Sequence, residues 1–187
     1  MLNNIASMLG VGGGVATDYE SIATVTVGAG GAANITFSSI VGTYSHLQVR
    51  GIGRTSFNNG SDAAGLIIRF NGVTTNAYSY HNLIGNGTSA SATGYASQTE
   101  PQPAYVSAAG QAANVFAASI IDVLDYANTN KNKTVRVLSG IEQNATISII
   151  TLGSSMWNNT NAITSIELKP GAGNFVQYSS FALYGIK

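Results

Sequence analysis

The sequence predicts an all-β protein: a single antiparallel β-sandwich, jelly-roll-like, behind a short N-terminal peg that is helical or extended. Three observations carry this expectation. From Ser21 onward apolar and polar residues alternate with a period of two. Turn chemistry supplied by Gly, Asn, Asp and Pro interrupts that alternation roughly every ten residues, as in sandwiches and jelly rolls. Only 9% of the 187 residues are charged, so the chain is rich in groups that pack and poor in groups that do chemistry.

The first ten residues have another period. Leu2, Ile5, Met8 and Leu9 recur at spacings of three and four, which places them on one face of about two helical turns. So short a helix is marginal in water and needs a partner surface. Gly10, Gly12, Gly13 and Gly14 then supply a joint. Residues 1–17 therefore read as an attachment peg with a Gly-rich joint, and 18–187 as the sandwich domain. The opening segment has no basic region and too broken an apolar content for a secretory signal, so Met1 is the expected start of the mature chain.

The strand signals follow in order. Ile22–Val27 and Asn34–Phe37, separated by Gly28-Ala29-Gly30-Gly31, read as a hairpin. Leu47, Val49 and Gly51 alternate with His46, Gln48 and Arg50, a strand with one covered face. Leu66–Phe70 is closed by Asn71-Gly72, and the weaker run Tyr78–Ile84 by Asn86-Gly87. Residues 85–114 are dominated by small and polar residues with Pro101 and Pro103, and read as a long loop of the kind that is functional or ordered by a neighbour, with one short strand near 104–108 as the alternative. Val115–Leu124 is the most apolar run and the expected central strand. Thr134–Gly140, Thr146–Leu152, Ala162–Leu168 and Ser180–Ile186 complete about ten strands.

A net charge of zero removes the attraction that nucleic-acid phosphates or anionic membranes require, and no run of 18 apolar residues is present to span a bilayer. Neither nucleic acid nor membrane insertion is an expected partner. Without Cys there are no disulfides or thiolate metal sites, and the lack of charge repulsion favours self-association. No catalytic, cofactor-binding or metal-binding residues emerge. Asp122 and Asp125 are three apart in an extended run and fall on opposite faces, a poor acid–base pair; Asp125 suits a turn, accepting backbone hydrogen bonds. His46 and His81 each stand alone, no G-x-S-x-G or H-E-x-x-H occurs, and no D-x-D-x-D-G calcium loop is present. Tyr80, Tyr95 and Tyr105 flank the long loop and form its candidate receptor or interface residues, because an exposed tyrosine can stack on a sugar and donate from its hydroxyl.

The segments Tyr19–Gly28, Tyr44–Ile52, Ile121–Tyr126 and Phe181–Lys187 resemble small virion structural proteins of tailed bacteriophages, as does the apolar N-terminus ahead of a Gly-rich joint. The resemblance implies an oligomeric β-sandwich without enzymatic activity, located in the virion and partnered by itself, as a homotrimer, and by other tail or capsid proteins. The expected function is a small trimeric tail fibre, anchored by Leu2, Ile5, Met8 and Leu9 and presenting its sandwich to the host surface, with a surface glycan as a candidate partner. The alternatives are a head decoration protein clamping capsid subunits and, from another class, a carbohydrate-binding module.

Overall fold

A computed structural model describes residues 18–143 and 148–187, so Leu2, Ile5, Met8 and Leu9 lie outside the described residues. Those residues form twelve strands: β1 Tyr19–Thr26, β2 Ile35–Phe37, β3 His46–Gly53, β4 Ala63–Phe70, β5 Tyr78–Gly85, β6 Ala90–Gln98, β7 Ala104–Ser107, β8 Ala117–Leu124, β9 Lys133–Ile141, β10 Ile149–Trp157, β11 Ile166–Pro170 and β12 Ser180–Ile186. They make two antiparallel sheets, an eight-stranded one in the order β1-β12-β3-β8-β9-β10-β5-β6 and a four-stranded one in the order β2-β11-β4-β7. The all-β sandwich expected from the alternation is therefore the fold.

The core lies between the sheets and follows the period-two pattern. The large sheet contributes Leu47, Val49, Ile121, Val123, Val135, Val137 and Leu183 from alternate positions, and the small sheet answers with Phe37, Leu66, Ile68, Phe70, Ile166 and Leu168. Each such side chain, fully buried, supplies on the order of 1.5–3 kcal/mol. Gly51 occupies an inward position of β3 because the ring of Phe181, its register partner on β12, fills the space where a Cβ would stand. Beneath β7 the inner face turns polar: Ser119, Ser139 and Thr151 stand side by side across β8, β9 and β10, and Ser139 Oγ accepts the Tyr105 N–H at 3.4 Å.

Three expectations need correction. The runs Ile22–Val27 and Asn34–Phe37 are strands but not a hairpin: β1 pairs with β12 in the large sheet and β2 with β11 in the small one. Gly28–Gly31 carries the chain from one layer to the other. Residues 85–114 are not a long loop, since they contain β6 and β7. β6, ASATGYASQ, was illegible because it is an edge strand exposed on both faces, so no burial imprints an alternation on it. Finally β10 runs on to Trp157, five residues beyond the expected end at Leu152.

The turn signal at Asn71-Gly72 is correct in conformation, both residues having positive φ (51° and 66°), yet it joins strands of different sheets. Asn71 instead fastens the chain before β11: its Oδ1 accepts the Thr164 and Ser165 N–H groups at 2.8 and 3.1 Å, and its Nδ2 donates to the Ala162 carbonyl at 2.8 Å.

Candidate functional site

Asp122, Asp125 and His46, the residues that could serve acid–base or ligating chemistry, are engaged in hydrogen bonds or ion pairs. Asp122 points outward from β8 and accepts from Gln48 Nε2 at 2.7 Å and Arg136 Nη2 at 2.9 Å. Asp125 sits at the following turn with φ 49°, its carbonyl accepting the Asn128 N–H at 3.0 Å. Its side chain does not cap that turn; it pairs with Lys131, whose hydrogen bond holds the carboxyl below its usual range. His46 Nδ1 accepts the Asp125 N–H at 3.0 Å, and His81 lies exposed on β5, over Gly94 of β6. Among the described residues no three His, Asp or Glu side chains converge to hold a metal ion.

Tyr80, Tyr95 and Tyr105 come from three strands; the rings of the first two stack, and the third lies near enough to be felt electrostatically. Tyr80 on β5 is opposite Tyr95 on β6, their rings stacked 5.0 Å apart, while Tyr105 approaches from β7 closely enough to oppose ionisation of Tyr80. Tyr80 is buried and Tyr95 is 48% exposed, so the group presents chiefly one ring to solvent. The residues singled out are together, though on strands and not on a loop.

Burial raises the pKa of Tyr80 and Tyr105, and likewise of Tyr44, Tyr78 and Tyr126, above 10.0. A folded pKa above the unfolded one means that the unfolded chain loses these protons first. The stability they contribute is complete below pH 10 and is lost as pH rises through the folded values. Denaturation curves taken from about pH 8 to about pH 11 should show the midpoint falling only above about pH 10, with tyrosinate absorbance rising together with unfolding. Full tyrosinate absorbance in a folded chain would contradict this assignment.

Among the described residues, large apolar side chains stand exposed on the outer face of the eight-stranded sheet. Register places Ala182, Arg50, Ile120, Leu138, Leu152, Leu83 and Ala92 side by side across seven strands, from β12 to β6. One step along, Ile52, Ala118, Gly140, Ile150 and Gly85 form a second row. Ile150 is 59% exposed, Leu83 54%, Leu152 52% and Leu138 48%, far from the burial such side chains favour. Because Ala118 and Gly140 are small, a groove of about 670 Å³ opens between Ile52, Ile120, Leu138 and Ile150. A second, of about 530 Å³, lies beyond the Leu138–Leu152–Leu83 ridge, beside Leu124 and Arg136.

A polar band borders these rows. Arg50 lies over the rings of Tyr19 and Tyr184, at 5.3 and 5.7 Å, and its Nε donates to Gln48 Oε1 at 2.5 Å; Gln48 and Arg136 both reach Asp122. The outer side of the small sheet is different in kind. There Arg69 reaches both Glu100 and Glu167, and Lys169 pairs with Glu100 at 3.1 Å, so charge is knitted across the strands.

The apolar outer face had a signature in the sequence that a search for motifs passes over. Ile120-Ile121, Val123-Leu124, Val137-Leu138 and Ile149-Ile150 are adjacent apolar pairs inside strands, and two neighbours in a strand face opposite ways. A two-layered sandwich buries only one of them. No family model, no curated protein and no solved structure matches the chain.

Proposed function

We propose that this chain is a non-enzymatic structural protein of a bacteriophage virion, a small homotrimeric tail fibre anchored through Leu2, Ile5, Met8 and Leu9 that turns its sandwich toward the host surface. The observation that carries the structural part of this reading is the apolar face spanning seven strands on a chain of zero net charge. A surface of that kind is tolerable where assembly covers it. The virion address rests on the resemblance of Tyr19–Gly28, Tyr44–Ile52 and Phe181–Lys187 to phage structural proteins. Tyr95, stacked on Tyr80 and half exposed, is the ring best suited to a host glycan.

Deleting residues 1–14 and measuring incorporation into particles tests the reading. Loss of incorporation by a chain whose sandwich still folds is the expected result; unchanged incorporation would remove the anchor. Copy number per particle separates the two virion addresses, tens for a fibre and hundreds for a head decoration protein.

A further inference from the structure

We infer that the outer face of the eight-stranded sheet is the surface through which copies of this chain bind one another, the Ile120–Leu138–Leu152 ridge of one copy seating in the groove over Ala118 and Gly140 of the next. The inference rests on the reading of the chain as an oligomeric structural protein and names the surface that reading requires.

Three features favour a second copy as the occupant. The first is shape: a ridge of large side chains runs beside a groove floored by Ala118 and Gly140, so the face carries both the projection and the hollow that would receive it. The second is area. Strands of seven to nine residues at ~3.3 Å per residue, across seven spacings of ~4.8 Å, make a face of roughly 900 Å². A stable protein–protein interface takes roughly 800 Å² from each partner, so one face is enough.

The third is charge. The carboxylate of Asp122 is already paired with Gln48 and Arg136, and Arg50 is engaged by Gln48 and two tyrosine rings. The face therefore offers an acidic or basic partner little to pair with. Another copy brings an equally apolar surface and the same internally satisfied border. Charged residues are depleted from interface centres for this reason.

The test uses the full-length chain in sedimentation velocity at micromolar concentration, alone and as Leu138→Arg, Leu152→Arg and, on the outer side of the small sheet, Thr36→Arg. The unchanged chain and Thr36→Arg are expected at a multiple of the chain mass, and the two ridge variants as monomers with an unchanged β circular dichroism spectrum. Because the protein has no Cys, Ile120→Cys and Thr36→Cys each place a single thiol, and this measurement decides the matter even if an Arg variant fails to fold. Mild oxidation should cross-link Ile120→Cys and leave Thr36→Cys single. A monomeric unchanged chain overturns the inference, and so does an oligomer that survives both ridge substitutions without an Ile120→Cys cross-link. In the latter case the structural-protein reading stands with its interface elsewhere, whereas absence of the chain from particles removes that reading and leaves the self-association result intact.

Discussion

Trp157→Ala is expected to lower stability by about 3–5 kcal/mol, the usual range for deleting a fully buried large aromatic. Trp157 ends β10 with no exposed surface, and the layers meet at its ring. Tyr78, from the same sheet, stacks on it at 6.4 Å, and Phe70, from the small sheet, lies 5.8 Å away. Tyr78 in turn accepts the Phe70 N–H on its hydroxyl at 3.0 Å, so the three rings share a polar tie as well as contact area. Alanine removes the contacts of both neighbours at once and leaves a void that rigid strands cannot close. Trp157→Phe should be milder, because the indole Nε1 has no hydrogen-bonding partner among the described residues for the substitution to forfeit. Urea unfolding of both variants checks this. A loss below about 1 kcal/mol for the alanine variant would show that the site collapses around the deletion.

Lys133→Met is expected to destabilise by about 3 kcal/mol, on the basis of about 1–3 kcal/mol for each buried polar group left unpaired. Lys133 opens β9 and is fully buried, and its ammonium donates to three carbonyls, those of Asn128, Lys131 and Thr160, the last two at 2.8 and 2.9 Å. Those carbonyls lie on the β8–β9 turn and on the segment before β11, so one cation ties together the two loops that leave the paired Lys133–Trp157 end of the β9–β10 ladder. Methionine retains the apolar stem and isolates the loss of the donors. Burial lowers the pKa of Lys133 from 10.5, which means that the unfolded chain holds this proton to higher pH. Between the folded value and 10.5 this group alone makes stability rise with pH, against the five tyrosines. Thermal unfolding of Lys133→Met at neutral pH measures the loss. A midpoint equal to that of the unchanged chain would show that water serves the three carbonyls equally well.

Strand identity was open to reading wherever a strand has one buried face. β3 and β12 were legible from Leu47, Val49 and Phe181, Leu183, since burial on one side writes a period of two into the residues themselves. β6 escaped for the opposite reason, because it is mostly small residues and is exposed on both sides. The candidate tyrosines were half legible. The sequence marked Tyr80, Tyr95 and Tyr105 as neighbours of an unusual stretch, while their proximity depends on β6 returning beside β5 and β7 crossing to the other sheet. The apolar outer face was present as adjacent apolar pairs, which became meaningful only once the layers could be counted.

Composition and periodicity thus determined on their own that the chain is all-β, that its core comes from alternate positions, and that it has little ionisable chemistry to offer. Which strands pair was decided by the tertiary structure. Alternation specifies which side of a strand is buried, a local property, whereas the partner across a ladder is chosen by long-range packing of whole faces. For that reason β1 left its apparent hairpin partner for β12, at the opposite end of the chain. The same long-range pairing brought Ile120, Leu138, Leu152 and Leu83, scattered over residues 83–152, into one row facing outward.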